Sequence, residues 1–418
     1  MVAAPFMRVL HTSDWHLGQT WNGRSRKKEF EAFLEWMLET VKDRKVDVLI
    51  VAGDIFDTST PTTDTQKMYF RFLKRVSSLG PETIVISGNH DSPSLLDAPK
   101  PFLDEFRIHV VGVAASPEEE LVVIRESAAE DVPPQLIVAA VPFLREREIR
   151  RAVEGESLKE SDNRTVAGIR THYESVCAAA EEIRRQYPNR SIPLVVTGHL
   201  FVAGITSPGE IREIHVGTLG QLGSDIFPDG IDYVALGHIH RPSSVGGRDV
   251  VRYSGSPIPM SFGETSQEKS VVLVDFDGRT PRIEKIPVPN FSIFLHLEGD
   301  LDRIKKSLKK LEDHMDDRDA FVEVVYTGRE PIHDLVRQVE DSVTHKNIEI
   351  VRIQNNRERA ESSWSPESDE SLEDLSEVDV FDRLLEDNEK KGTPLDDQLK
   401  ADLRLAYREV LERCLETE

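Results

Sequence analysis

The chain has 418 residues, 39% of them hydrophobic and 30% charged, which is more than one ordinary domain and enough apolar material for real cores plus a solvated segment. Two cysteines, Cys177 and Cys414, exclude a disulfide scaffold and point to a reducing compartment. The net charge of −23 excludes a protein that grips nucleic acid by bulk charge, although not one that brings cations or a basic partner to phosphates. Residues 356–418 hold 20 acidic and 9 basic side chains, −11 of that total. The N-terminus MVAAPFMRVL lacks a secretory pattern, and the most apolar run, LIVAAVPFL (136–144), is about half of a membrane span. The expectation is a cytoplasmic protein with no membrane partner.

Through the first 260 or so residues, short β-branched runs end in polar residues and are often followed by a helical stretch. The runs are MRVLHTSD (7–14), VDVLIVAGD (46–54), ETIVISGNHD (82–91), PLVVTGHL (193–200) and DYVALGHIH (232–240). Runs apolar on both faces predict strands covered by helices on each side. Between them, 29–41 and 63–76 have helical spacing, with Phe30, Phe33, Leu34 and Met37 on one face. This alternation predicts an α/β layered domain over 1–268.

Residues 269–355 read as a second, small α/β domain. Strand-like VVLVDF and FSIFLHL come first, then a helix carrying Leu301, Ile304, Leu308 and Leu311. Strand 320–326, a helix opening at Pro331 with Ile332, Leu335 and Val339 inward, and strand 347–353 complete it. An acidic Ser/Glu/Asp-rich linker over 356–375 follows. Residues 376–418 hold two amphipathic helices, one with Val378, Phe381, Leu384 and Leu385, the other with Leu399, Leu403, Tyr407, Val410 and Cys414. Helices this short need a surface to bury against.

The chemistry is carried by what terminates the strands. Asp14 and His16 end the first, and Asp54 ends the second, within GDIFD. Asn89, His90 and Asp91 end the third, His199 the fourth, and His238 and His240 the fifth. Ligands of open α/β sheets bind beyond the carboxyl ends of the strands. Five ends would thus deliver two carboxylates, four histidines and one asparagine to one place, with His90 beside them. Singly, DWH, GD and GNHD read as turns, and GHIH is more suggestive because its two histidines share one side of an extended segment; five such ends in one structural position are not coincidence. Oxygen and imidazole donors suit manganese, iron or zinc more than magnesium alone. The number of donors suits two ions about 3.5–4 Å apart that share a carboxylate. Asp54 is placed for that role by its tight Gly-Asp turn. The remaining histidines are expected to be core or surface residues. Arg24, Arg26, Lys27 and Lys28 form the densest basic cluster of the body, readable as phosphate contacts or as a solvated helix start.

DWH, GDIFD, GNHD, GHL and GHIH, in this order, resemble the five motifs of the calcineurin-like metallophosphoesterases. MRVLHTSDWHLG, GDIFDTSTPTT and RYSGSPIPMSFGE (252–264) resemble more closely the branch formed by the nuclease subunits of SbcCD-type exonucleases. The likeness spans roughly the first 265 residues; beyond them only the order and size of segments are similar. It implies a layered β-sheet domain, a small α/β capping domain and a C-terminal helical tail. It implies a first metal on Asp14, His16, Asp54 and His240 and a second on Asp54, Asn89, His199 and His238, with Mn2+ the expected ion and Mg2+ an alternative. His90 would be catalytic, stabilising the phosphorane or protonating the leaving oxygen, with Asp91 orienting it. The implied substrate is DNA, cut without regard to sequence at duplex ends and hairpins during repair. The implied partner is an SbcC-type coiled-coil ATPase, docked on Val378, Phe381, Leu385, Leu399, Leu403 and Tyr407, with a homodimer inside a heterotetramer. The alternative is a small-substrate phosphodiesterase or phosphatase on the same core. One departure stands out: Asp57 occupies a position where archaeal relatives carry a second histidine.

Overall fold

The five motif strands form, and they divide between two sheets. The computed structural model describes residues 6–127, 132–149, 157–204 and 222–356, together with Lys400, Leu403 and Tyr407. In chain order come β1 (Phe6–Thr12), the hairpin β2 (Thr20–Trp21) and β3 (Arg24–Ser25), α1 (Lys27–Asp43), β4 (Val48–Ala52), α2 (Thr63–Ser77) and β5 (Glu82–Ile86). The short helices α3 (Pro93–Asp97) and α4 (Lys100–Leu103) lead to β6 (Ile108–Val111). Then follow β7 (Leu121–Ile124), β8 (Leu136–Ala139), α5 (Glu146–Ile149), α6 (Leu158–Arg185), β9 (Leu194–His199), β10 (Tyr233–Gly237), β11 (Ser243–Val245) and β12 (Arg248–Tyr253). The hairpin β13 (Ser270–Asp277) and β14 (Thr280–Pro287) closes this part.

One six-stranded sheet runs β14-β13-β1-β4-β5-β6 and the other β11-β12-β10-β9-β8-β7. In the first, β1, β4, β5 and β6 are parallel; in the second, β8, β9, β10 and β12 are parallel. The sheets face each other across Val9, Val48, Ile50 and Ile84 on one side and Leu136, Val138, Val195 and Tyr233 on the other. The outer face of the first sheet is covered by α1 and α2, with Phe30, Phe33, Leu34 and Met37 buried as the spacing indicates. The outer face of the second is covered by α6, opened by a Ser157/Glu160 capping box and buried through Ile169, Tyr173, Val176, Cys177 and Ala180. Each sheet therefore has helices on one face and a sheet on the other, not helices on both. Both arrangements bury both faces, so the strand sequences read the same.

Residues 270–287, expected in the small domain, are strands of the first sheet. β13 pairs antiparallel with β1 from Phe6↔Asp277 to His11↔Val272, and β13 runs back into β14 through a two-residue Gly278-Arg279 turn, with Gly278 at φ 59°. The small sheet comprises parallel β15 (Ile293–Gly299), β16 (Ala320–Tyr326) and β17 (Ile348–Asn355), with α7 (Leu301–Glu312) and α8 (Leu335–Glu340). The last helix starts at Leu335 rather than Pro331, after Asp334 takes a left-handed φ of 58°. Its Leu335 and Val339 are buried, and Ile332 packs against the same core.

The hairpin β2–β3 ties the small sheet to the first domain. Trp21 lies against Phe262, Phe294 and Phe321, and Asn22 donates through Nδ2 to the Val351 carbonyl at 2.7 Å. The chain divides into one compact unit up to Arg357 and a second from Glu358. Val378, Phe381, Leu385 and Leu399 lie outside the described residues; Leu403 and Tyr407 are helical. Among the described residues no helix is long and apolar enough to cross a membrane.

Candidate metal centre

The parallel strands of both sheets end on the same edge, and the motif loops there hold one another in place. The N–H of Asp14 donates to the Gly53 carbonyl, and that of His16 to the Asp54 carbonyl, each at 3.0 Å. Asp14 (φ 53°), His16 (φ 45°), Asp54 (φ 50°) and His238 (φ 99°) all adopt left-handed backbone, half of the eight non-glycine residues that do so among the described residues. Such conformations cost about 1–3 kcal/mol each and persist where surrounding contacts impose them, characteristically at functional sites. Gly53 (φ 86°) adds a close approach, since a Cβ there would strike the His199 ring.

Asp54 stands between two groups of donors. Its Oδ2 lies 3.2 Å from His199 Nε2 and 3.5 Å from His16 Nε2. Its Oδ1 accepts the His90 N–H at 2.9 Å. On one side, His16 Nε2 and His240 Nε2 are 3.2 Å apart, and donor atoms of Asp14, His16 and His240 all lie within 4.8 Å of one another. On the other, the Asn89 side-chain oxygen is 3.0 Å from His199 Nε2 and 3.1 Å from His238 Nδ1. Asp14 accepts the His238 N–H at 2.9 Å, which links the two sheets. All seven expected ligand residues are thus gathered at one edge. Asp14, Asp54 and His199 are buried, whereas Asn89 and His90 are exposed at the mouth.

The donor chemistry fits divalent cations. His199 Nδ1 donates to the Ala52 carbonyl at 2.9 Å, so Nε2 of the neutral ring turns a lone pair toward two oxygens. His240 Nδ1 faces Glu264 Oε1 at 3.2 Å, which leaves its Nε2 lone pair opposite His16. Both conflicts resolve with a cation among the converging atoms. Electrostatics agrees. Burial opposes ionisation of Asp54, but the His199 and His16 rings outweigh it and hold the carboxyl well below its usual range. Burial likewise opposes a charged His199, yet Asp54 and Asp14 push it up to about 9, so that without a cation Nε2 carries a second proton in the place where a cation would sit. Burial and the adjacent His199 lower His238 to about 4.

Two expectations are corrected. Asp91 does not orient His90: it is buried and accepts the backbone N–H groups of Gly88 (2.8 Å), Phe56 (2.9 Å) and Ile55 (3.2 Å), which welds the GNHD loop to the GDIF loop. The His90 ring is instead held by Nδ1 donating to the Asp57 carbonyl at 2.8 Å. Of the basic cluster, Arg26 is internal, whereas Arg24, Lys27 and Lys28 stay exposed. Arg26 is 1% exposed, donates to Glu29 and the Pro259 carbonyl, and stacks its guanidinium 5.0 Å from the Trp21 ring. Arg24 pairs with Glu349, Lys28 with Asp319 and Lys27 with Glu31. The sequence reading missed Glu264 behind His240, and Arg145, whose Nη2 donates to the Asp91 carbonyl at 3.2 Å. Glu264 stands in the RYSGSPIPMSFGE segment; Arg145 carries no motif. As expected, His11 is a core residue, accepting from the Tyr233 hydroxyl at 3.0 Å and donating to the Leu236 carbonyl.

Residues 7–203 match the family model for calcineurin-like phosphoesterases, and 291–389 match the model described as type 5 capsule protein repressor C-terminal domain. Fold and site together define a metal-dependent phosphoesterase. The chain is 35% identical over 380 residues to the SbcD subunit of nuclease SbcCD from Escherichia coli (strain K12), covering 91% of this chain and 92% of that one. It is 35% identical over 304 residues to the protein of the same name from Rhodobacter capsulatus, covering 70% and 72%, and over 272 residues to that of Bacillus subtilis (strain 168), covering 64% and 66%. The chain belongs to the SbcD family of nuclease subunits.

Proposed function

We propose that this chain is the metal-dependent DNA nuclease subunit of an SbcCD-type complex, hydrolysing phosphodiester bonds at duplex ends and hairpins without regard to sequence. The observation that carries the reading is Asp54: one carboxylate oxygen within 3.5 Å of a histidine from each donor group. Asp14, His16, Asp54 and His240 would hold one ion, and Asp54, Asn89, His199 and His238 the other. Four imidazoles among these donors favour Mn2+ over Mg2+. Bound there, two divalent cations would neutralise the phosphoryl group and activate the attacking water.

The chain's own residues do the rest. Asp91 fixes the loop that presents Asn89 and His90. His90, held by Nδ1 to the Asp57 carbonyl, keeps Nε2 for the substrate. From the mouth of the site that nitrogen can stabilise the pentavalent phosphorus or give a proton to the departing ester oxygen as the water oxygen bonds to phosphorus. Because β13 and β14 belong to the first sheet, the proposed nuclease domain extends past 268 to Pro287, and the proposed capping domain begins after it. In keeping with the family name, the partner is an SbcC-type ATPase, and the proposed assembly is a homodimer of this chain within a heterotetramer acting in the cytoplasm. The amphipathic 376–418 segment is the proposed docking element. Truncation near residue 365 should abolish co-purification with the ATPase and ATP-stimulated duplex digestion while leaving metal-dependent cleavage of single-stranded or nicked substrates intact.

The test is Mn2+-dependent digestion of linear and hairpin-ended duplex DNA, with Asp54→Ala as the control. Loss of both ions from that variant in titration calorimetry, together with loss of cleavage, supports the reading. Hydrolysis of bis-p-nitrophenyl phosphate without digestion of any DNA would instead favour the small-substrate phosphodiesterase. Two full-affinity sites in Asp54→Ala would sink the shared carboxylate.

A further inference from the structure

Behind the exposed face of the centre lies a buried ion pair that the hydrolytic chemistry does not itself use. Glu264 ends the short turn 262–264 and Lys269 precedes β13; both are buried, at 6% and 4% exposure. Glu264 Oε1 faces His240 Nδ1 at 3.2 Å. Its Oε2 accepts Lys269 Nζ at 2.6 Å and the Met260 N–H at 3.0 Å. Lys269 Nζ also donates to the His240 backbone carbonyl and to Ser256 Oγ, each at 3.0 Å. His240 is therefore gripped at both ends, its ring by the carboxylate and its carbonyl by the ammonium. The burial of this pair needs a reason, because a buried ion pair is weak evidence of stabilisation in itself.

We propose that Glu264, fixed by Lys269, is a positioning residue that locks His240 with its proton on Nδ1 and aims the Nε2 lone pair at the ion held with His16. The inference rests on the reading of His240 as a ligand of that ion. A carboxylate acceptor behind a ligating imidazole fixes tautomer and ring orientation and makes the ring a better donor. The corresponding nitrogen of His199, on the other side of Asp54, donates to the uncharged Ala52 carbonyl at 2.9 Å. The two ion sites are thus backed differently, and a change at Glu264 should be felt by one of them only.

The experiment is Mn2+ titration calorimetry on the full chain, comparing wild type, Glu264→Ala, Glu264→Gln and His16→Ala, with melting in chelator to report the fold. Wild type should take up two ions. In Glu264→Ala one site should weaken by about 10- to 100-fold, the scale for removing such a partner, while the other stays within two- to threefold. The weakened site should be the one also lost in His16→Ala. Glu264→Gln keeps an acceptor oxygen and should show a smaller loss, and it decides the matter if the alanine variant fails to fold. Unchanged affinity at both sites, or an equal loss at both, overturns the inference. A wild-type chain that takes up fewer than two ions overturns the metal-centre reading and the inference with it.

Discussion

In His90→Ala the backbone N–H that donates to Asp54 Oδ1 at 2.9 Å survives, because any residue but proline supplies it, and only the ring is lost. That ring makes one hydrogen bond, from Nδ1 to the Asp57 carbonyl at 2.8 Å, and an edge contact with His16 at 4.8 Å between centroids. It is exposed, so its removal should cost no more than about 1 kcal/mol of stability. Mn2+ binding should be unchanged within a few-fold, since His90 is not among the seven proposed ligands. Cleavage of duplex DNA should fall by about 10²–10³, equivalent to about 2.7–4 kcal/mol of transition-state stabilisation. The choice of substrate sharpens the assay. The leaving oxygen of DNA is an alkoxide that needs a proton, whereas p-nitrophenolate leaves without one. If His90 is the acid, the variant should lose far more activity on DNA than on bis-p-nitrophenyl phosphate. Equal losses on both would assign the ring to charge stabilisation alone. DNA cleavage within a few-fold of wild type, or loss of both ions, would refute a catalytic role.

Asp91→Ala strips the shared acceptor from three backbone N–H groups and should cost about 3 kcal/mol or more in urea denaturation; a loss below about 1 kcal/mol would show that the loops do not depend on it. Trp21→Ala should cost about 3–5 kcal/mol and raise hydrogen exchange in β16 and β17, because Trp21 packs on Phe294 and Phe321 of the small sheet; exchange unchanged there would remove the hairpin as its anchor. The pH prediction concerns Glu264, where burial opposes ionisation but His240 and Lys269 lower the carboxyl from 4.5 to about 2. A depressed carboxyl contributes stability above its unfolded value and loses it as pH falls through the folded one. The stability gap between wild type and Glu264→Gln in chelator should therefore be full above about pH 4.5 and close toward pH 2. A gap independent of pH over that window would contradict the assignment.

The motif residues themselves were legible because the chemistry is local to strand ends. Asp14, His16, Asp54, Asn89, His199, His238 and His240 each follow an apolar run of strand length, and a strand end is a fixed place in a parallel sheet. The helical face of α1 was equally legible, because 3.6-residue periodicity needs no partner to be seen. Three matters were decided only in three dimensions. Whether a strand's second face meets helices or another sheet leaves no trace in the strand, since either cover demands apolar side chains; hence strands expected between two helix layers lie between helices and a facing sheet. The place of β13 depended on its pairing with β1, a contact more than 260 residues away in the chain, and register between distant strands is not written in either one. The partners of polar side chains came last. Asp91 could be seen to adjoin His90 but not to turn inward to three N–H groups, and Arg26 looked like a surface cation until Trp21, Glu29 and the Pro259 carbonyl closed around it. A titratable group's role is set by what faces it, and what faces it is supplied by segments that the sequence keeps far apart.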